Sequence, residues 1–153
     1  QGRARVELVR LASELTAEHV PRARQAGIDL GFDEADGGSV AVTGNALLLR
    51  EAIANLIDNA LRYAGHGSTV TVRVRPLGHD ALVEVEDNGP GIAPADRERV
   101  FERFARATMQ GDGCGLGLAI VKEIAERHAG SVSLEGAVPR GLRVRMRLPR
   151  AAA

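Results

Sequence analysis

Hydrophobic residues recur along this chain with two periods, one typical of helices and one typical of strands. The helical period predicts three main helices, over residues 6–25, 45–63 and 116–129, with a short strand or cap opening the first of these regions. Gly27, Gly65 and Gly130 lie just beyond them, and glycine commonly ends helices because it adopts the left-handed conformation there. A shorter helix is predicted over 94–104, followed by a polar, glycine-bearing loop over 105–115.

Alternation of hydrophobic and polar residues predicts the strands. Two β-branched runs, at 69–74 and 81–86, are separated by a short turn and predict an antiparallel hairpin. Shorter alternating runs predict further strands at 28–32, 39–42, 131–134 and 142–148. Because helices and strands follow one another in mixed order, we expect an α+β fold, a two-layer sandwich of a sheet packed on helices.

Length and charge narrow the classes of function. The 153 residues, 44% of them hydrophobic, suffice for one domain with a single core, predicted over 1–153. The 20 Lys and Arg residues balance the 20 Asp and Glu residues, so no net charge attracts nucleic acid or anionic lipid. With no tryptophan and one tyrosine, the chain has little surface on which single-stranded bases could stack. Arg143, Arg145 and Arg147 alternate with aliphatic residues and indicate a strand with one solvated face.

Cysteine content and hydropathy bear on the compartment. Cys114 is the single cysteine, so it forms no internal disulfide, and it has no His or Cys partner nearby for a zinc site. A reducing compartment is consistent with this. No apolar stretch approaches the roughly 18 residues of a membrane span, and the N-terminus lacks the apolar region of a signal peptide.

The predicted helix over 45–63 carries an unusual polar stripe. Asn45 precedes it as a cap, and helical spacing gathers on one side the five polar residues Glu51, Asn55, Asp58, Asn59 and Arg62. An ordinary amphipathic helix with a solvated face would give the same pattern. However, two asparagines four residues apart are poor helix formers, and their carboxamide oxygens are hard ligands suited to Mg²⁺.

Two further segments carry candidate chemistry. Asp87 stands at the end of a predicted strand and opens the sequence Asp-Asn-Gly-Pro-Gly, where Asn-Gly alone would indicate only a turn. Its carboxylate, held by the sheet, could accept a hydrogen bond from an exocyclic amine. The glycines at 111, 113, 115 and 117 lead into a helix, where free backbone N–H groups and the positive dipole end can seat a phosphate. A flexible loop is the alternative, and the spacing fits neither the dinucleotide motif nor the P-loop.

Taken in order, these segments resemble a known family. The order Glu-x-x-x-Asn-x-x-x-Asn, Asp-x-Gly-x-Gly, Phe-Glu-Arg-Phe at 101–104 and Gly-x-Gly-Leu-Gly-Leu is similar to the ATP-binding catalytic domain of bacterial sensor histidine kinases. That family belongs with gyrase, the mismatch-repair ATPase and a heat-shock chaperone. The resemblance covers residues 6–149. It implies a Bergerat-type fold with a mixed, mostly antiparallel five-stranded sheet packed on three helices, and it implies ATP and Mg²⁺ as cofactors.

The resemblance also implies site residues. Asn55 corresponds to the Mg²⁺ ligand, Asn59 and Arg62 to phosphate contacts, Tyr63 to a residue beside the adenine, and Asp87 to the acceptor of the adenine amine. The remaining implied contacts are made with the base by Gly89, Gly91 and Ile92, and with the phosphates by Arg103, Arg106, Gly113, Gly115, Leu116, Gly117 and Leu118. A lid over 105–115, anchored at 101–104, would close the site.

The resemblance leaves the role of Glu51 open and identifies no phosphoacceptor histidine in this chain. In the ATPases of the superfamily the residue matching Glu51 activates water, whereas a kinase must suppress hydrolysis, so Glu51 is assigned a catalytic position without a settled role. Cys114 stands where these kinases more often carry Thr or Ser. None of the four histidines lies in a phosphoacceptor sequence, and each is expected at the surface. The chain therefore looks like an excised catalytic domain without its sensor, membrane and dimerisation parts.

The implied function is Mg-ATP binding and transfer of the γ-phosphoryl to a histidine on the parent's dimerisation domain, which then serves a response regulator. The domain itself would be a monomer on the cytoplasmic side of a membrane-anchored parent, without nucleic-acid partners. Three alternatives stay open: an ATP-hydrolysing clamp of the gyrase or chaperone type, an anti-sigma serine kinase, and a nucleotide-binding module without transfer. The Phe-Glu-Arg-Phe segment favours the histidine kinases.

Overall fold

A computed structural model describes residues 2–33, 39–90 and 114–151, apart from the side chains of 114–116. The elements are β1 (Arg3–Glu7), α1 (Leu8–Gln25), β2 (Asp29–Asp33), β3 (Ala41–Asn45), α2 (Ala46–Tyr63), β4 (Thr69–Leu77), β5 (Asp80–Asp87), α3 (Cys114–Arg127), β6 (Ser131–Gly136) and β7 (Leu142–Pro149). The predicted main helices and strands are confirmed to within a few residues at their ends. The short helix predicted over 94–104 lies outside the described residues.

Five strands form one sheet in the order β2-β4-β5-β7-β6. β2 runs parallel to β4, and the other neighbouring pairs are antiparallel, including the predicted β4–β5 hairpin. The mixed, mostly antiparallel five-stranded sheet is therefore confirmed. β3 does not join it. Although β3 follows β2 along the chain, it pairs with β1 in a separate two-stranded sheet, with Arg3 opposite Asn45.

The helices cover one face of the sheet, and the core lies between the two layers. On the sheet, alternation directs Val70, Val72 and Val74 of β4 and the equivalent positions of β5 and β7 into this core. On α2, Leu49, Ile53, Leu56 and Ile57 are fully buried against them. Each such side chain contributes about 1.5–3 kcal/mol when buried, so α2 is fixed strongly by its apolar side. This packing also fixes the direction in which the polar side of α2 faces.

The opposite face of the sheet is less solvated than the sequence predicts. Glu84 of β5 points to this face, yet it is 0% exposed because arginine side chains cover it. Its Oε2 lies 2.6 Å from Nε of Arg145 and 3.1 Å from Nη2 of Arg75, while Nη1 of Arg73 lies 3.8 Å from Oε1. The last contact is an ion pair too long to be a hydrogen bond. This face of the sheet therefore carries a network of ion pairs between neighbouring strands.

The expectation that every histidine lies at the surface is wrong for His128. Its side chain follows α3 and is 7% exposed. Nδ1 lies 2.8 Å from the carbonyl oxygen of Ile124, and Nε2 accepts a 3.1 Å hydrogen bond from the backbone N–H of Asn45. Both bonds are satisfied together only by neutral imidazole protonated on Nδ1. His128 therefore joins the end of α3 to the start of α2, where Asn45 Oδ1 caps the Leu48 N–H at 3.1 Å.

Candidate nucleotide-binding site

The two asparagines of α2 occupy different environments. Asn59 is 3% exposed, and its Oδ1 has no hydrogen-bond partner among the residues the structure describes. A buried polar atom left unpaired costs about 1–3 kcal/mol, so its presence favours a site that a ligand completes. Asn55, one turn earlier, is half-buried, and Glu51, one turn earlier again, is exposed. The stripe thus runs from solvent into the molecule.

The other polar residues of α2 separate into two groups. Arg62 is exposed and Tyr63 half-buried, and both lie in the last turn of α2, beyond Asn59. Asp58 faces α1 instead. It forms an ion pair with Arg22 of α1, and its Oδ1 is 3.9 Å from Nε2 of His19. Asp58 therefore shares the polar side of α2 with the predicted site residues but pairs with α1. Its contacts join α1 to α2.

Asp87 occupies the last position of β5, on the helix-covered face of the sheet. It is 5% exposed, and its Oδ1 accepts a 2.8 Å hydrogen bond from the N–H of Gly89. Burial raises the pKa of the Asp87 carboxyl, and the backbone N–H groups of Gly89 and Leu142 partly offset this by hydrogen bonding to it. A carboxylate so enclosed is a well-oriented acceptor for a donor that enters the site.

The turn that follows β5, here called the Asp87 turn (residues 87–89), lies directly on the end of α2. A Cβ added to Gly89 would lie 2.3 Å from the carbonyl oxygen of Ala64, the C-terminal cap of α2. Only glycine allows this approach. Asn88 continues the sheet instead of facing the site, since its Oδ1 accepts from the Thr69 N–H at 2.8 Å. The Asp87 turn and the last turn of α2, which carries Arg62, are therefore neighbours.

The first turn of α3 lies beside the other end of this region. A Cβ added to Gly117 would lie 3.9 Å from Oδ1 of Asn55, so a methyl group at this position of α3 would be in ordinary contact with the predicted metal ligand. A helix N-terminus presents free N–H groups and a positive dipole end, which suit a phosphate. Leu118 is 0% exposed in the core, so its side chain packs and any ligand contact would come from its backbone.

The surroundings of several predicted site residues stay predictions. Gly115 and Leu116 belong to the first turn of α3, and their surroundings stay predictions. Five predicted ligand contacts, the anchor and most of the predicted lid lie outside the described residues: Gly91, Ile92, Arg103, Arg106, Gly113, 101–104 and 105–113. The last two residues of the predicted lid over 105–115 belong to α3.

The chemistry of the donors is compatible with Mg²⁺ carried by a nucleotide. Over residues 2–33, 39–90 and 114–151, no group of three or more His, Cys, Asp or Glu side chains is placed to hold a metal ion. Mg²⁺ needs no such cage, because it commonly keeps water and takes one or two protein oxygens together with substrate phosphates. The Asn55 oxygen beside α3 and the unpaired oxygen of Asn59 fit that requirement.

Sequence reasoning missed three contributors to the site. The loop between β6 and β7 packs against the Asp87 turn. The backbone N–H of Leu142 lowers the pKa of the Asp87 carboxyl. Nε of Arg140 donates a hydrogen bond to the Gly89 carbonyl at 3.1 Å. The backbone of Ala64 packs closely against Gly89. Backbone contacts between segments some 50 residues apart leave no pattern in the sequence, although the glycine at 141 marks a tight approach.

Comparison with known proteins identifies the family. Residues 44–152 match the family model described as histidine kinase-, DNA gyrase B- and HSP90-like ATPase. The chain belongs to this family. The match covers α2, the Asp87 turn and α3, so it includes every segment from which the site was built.

Individual relatives place this ATPase domain with the sensor histidine kinases. The sensor protein kinase PmrB of Pseudomonas aeruginosa is 40% identical over 148 residues, which are 95% of this chain and 30% of PmrB. The structure of full-length ShkA in complex with AMPPNP matches with a TM-score of 0.83 and 29% identity, over 99% of this chain and 32% of that one. The nucleotide-free catalytic domain of the histidine kinase ThkA matches with a TM-score of 0.87 at 24% identity, over 98% and 97% of the two chains, and shows the same fold.

This ATPase domain spans less than a third of the length of the curated relatives compared with it, such as PmrB. Within the described ranges, none of the helices is both long and apolar enough to cross a membrane.

Proposed function

We propose that this histidine-kinase ATPase domain binds Mg-ATP and transfers the γ-phosphoryl group to a histidine on the dimerisation domain of its parent kinase. The observation that carries the proposal is that three groups lie along the C-terminal half of α2. Asp87 is an enclosed acceptor in the turn next to Ala64, Asn59 has a buried oxygen without a hydrogen-bond partner among the described residues, and α3 passes beside Asn55. The complex of the related ShkA with AMPPNP supports a nucleotide as the ligand.

Each group has a chemical task in this proposal. The Asp87 carboxylate accepts a hydrogen bond from the adenine amine, and Tyr63 lies beside the base. Asn55 would hold Mg²⁺, which supplies charge neutralisation for the phosphates. Asn59, Arg62 and the N–H groups at the start of α3, near Gly117, hold the phosphates in place.

Transfer of the phosphoryl group needs positioning more than covalent chemistry by the domain. The bond from the γ-phosphorus to the bridging oxygen breaks and its electron pair stays on ADP, a bond to the acceptor imidazole nitrogen forms, and the N–H proton of that imidazole passes to water. Glu51 is exposed at the outer end of the polar stripe, where an incoming imidazole could meet it. We propose that Glu51 orients or polarises the acceptor and does not activate water.

The parent is proposed to be membrane-anchored with this domain on its cytoplasmic side, and to pass the phosphoryl group on to a response regulator. Both features are what the resemblance to sensor histidine kinases implies.

Nucleotide titration tests the binding step. Asn55→Ala and Asp87→Ala should each weaken Mg-ATP binding by about tenfold or more, because the first removes the proposed metal ligand and the second removes the proposed acceptor of the adenine amine. Asp29→Ala is a suitable control, since Asp29 is an exposed aspartate of the edge strand β2. Unchanged affinity in both site variants would contradict the proposal.

The phosphorylated product tests the transfer step. The domain is mixed with candidate dimerisation domains and labelled ATP, and the stability of the label is measured. Acid-labile, base-stable phosphate identifies phosphohistidine and supports the proposal. Acid-stable phosphoserine would indicate an anti-sigma type of kinase, and free phosphate without labelled protein would indicate an ATP-hydrolysing clamp.

A further inference from the structure

The loop between β6 and β7 (residues 137–141, the β6–β7 loop) makes close contact with the Asp87 turn. Gly141 has φ +112°, and a Cβ added there would lie 1.9 Å from the carbonyl oxygen of Asp87 and 2.8 Å from Cα of Asn88. No side chain fits in that space. The loop is closed on itself by a 3.0 Å hydrogen bond from the Ala137 N–H to the Gly141 carbonyl. Two backbone segments therefore touch here without any side chain between them.

A side-chain hydrogen bond fastens the loop to the turn, and a backbone group supports it. The backbone N–H of Leu142, the residue after the loop, lowers the pKa of the Asp87 carboxyl and so offsets part of the effect of burial. Nε of Arg140 donates to the carbonyl oxygen of Gly89 at 3.1 Å. The Gly89 N–H in turn donates to Asp87 Oδ1 at 2.8 Å. Gly89 is thus held by its N–H from one side and by its C=O from the other.

We infer that Arg140 is a positioning residue, which holds the Asp87 turn in the shape that recognises the base of the nucleotide. The inference rests on the proposed function, because it concerns the same site. The residue acts through the geometry of its Nε–H donor and not through its positive charge. Loss of that donor frees the Gly89 carbonyl, loosens the Gly89 N–H bond to Asp87, and misdirects the carboxylate that accepts from the adenine amine.

Two variants separate geometry from charge. In glutamine the side-chain N–H₂ is attached at the same position along the chain as arginine Nε, so Arg140→Gln keeps a donor there and removes the charge. Arg140→Met keeps a similar length and removes both. Arg147→Met is a matched control, because Arg147 lies near the other end of β7 and pairs with Asp80 at 2.5 Å.

Binding of ATP, GTP and tripolyphosphate is measured by titration calorimetry for each variant in the presence of Mg²⁺. Guanine carries a carbonyl oxygen where adenine carries its amine, so the preference for ATP over GTP reports the orientation of Asp87. We expect Arg140→Met to lower ATP affinity by about three- to tenfold and to narrow that preference, with tripolyphosphate affinity unchanged. Arg140→Gln and Arg147→Met should behave like the unaltered domain.

Amide hydrogen exchange of the nucleotide-free domain gives an independent readout. Exchange at the Gly89 and Leu142 N–H groups should be faster in Arg140→Met than in Arg147→Met. Equal ATP affinity and exchange in these two variants would overturn the inference, as would an equal loss in Arg140→Gln and Arg140→Met, which would assign a charge contact with phosphate. Failure of the unaltered domain to bind ATP would refute the proposed function, while faster exchange in Arg140→Met alone would still support the role of Arg140 in positioning the Asp87 turn.

Discussion

Replacement of Gly89 by alanine is the sharpest perturbation of the site geometry. The added Cβ would lie 2.3 Å from the Ala64 carbonyl oxygen and 2.8 Å from Ala64 Cα, whereas ordinary contacts begin at 3.4 Å. The Asp87 turn must therefore move away from α2 by about 1 Å, since both neighbours are backbone atoms that cannot rotate aside. Overpacking of this kind costs about 1–3 kcal/mol in the free energy of unfolding. A displacement of about 1 Å in a site can also reduce activity by about a hundredfold.

Urea unfolding and Mg-ATP titration measure the two effects of Gly89→Ala separately. Gly31→Ala is the matched control, because Gly31 of β2 has no atom within 4 Å of an added Cβ and no positive φ. We expect Gly31→Ala to retain full stability and ATP affinity, and Gly89→Ala to lose about 1–3 kcal/mol and at least tenfold in affinity. Equal behaviour of the two variants would show that the Asp87 turn does not depend on close packing against α2.

Three further predictions concern stability. Glu84→Gln should lower the free energy of unfolding by about 1–2 kcal/mol in urea titrations, because it removes a fully buried carboxylate from its arginines, which remain partly hydrated. Burial alone would raise the pKa of Glu86, but hydrogen bonds from two arginines outweigh it and lower the pKa below 4.5. Its stabilisation is therefore present above pH 4.5 and is lost as the pH falls through the lowered pKa, and Glu86→Gln should flatten this part of an unfolding-against-pH curve. His128→Phe should cost about 1–3 kcal/mol in thermal unfolding, because the buried Asn45 N–H loses its acceptor, and a full retention of stability would contradict the described bonding.

Local patterns were sufficient to predict the main elements. The Asn45 cap, the apolar side of α2 and the alternation in β4, β5 and β7 each depend on residues close together in sequence, and each is present in the structure. The five-stranded sheet itself was predicted from family resemblance. The pairing of β1 with β3 was not foreseen, because strands some forty residues apart leave no signal of their register.

The errors at the level of side chains share one physical cause. Helical spacing places Asp58 on the polar stripe, but it cannot show that α1 supplies Arg22 as a partner. Alternation places Glu84 on the outer face, but it cannot show that three arginines from β4 and β7 cover it. His128 is buried for the same reason, since its partner Asn45 comes from a distant segment. Periodicity in the sequence predicts the side of an element from which a side chain projects. Contacts with distant segments determine whether that side chain is buried.

The Asn59 oxygen, which has no hydrogen-bond partner in the described part of the chain, and the enclosed carboxylate of Asp87 have a consequence for the stability of the domain. Both are polar groups whose burial opposes folding, and both belong to the proposed site, in which a bound nucleotide would satisfy them. Burial of these two groups therefore lowers the free energy of unfolding, while it fixes them in position for recognition. Ligand binding relieves that cost, which makes the melting temperature a sensitive reporter of occupancy. Substitutions that stabilise the free domain at these positions are expected to impair recognition, so selection for stability alone would erode the site.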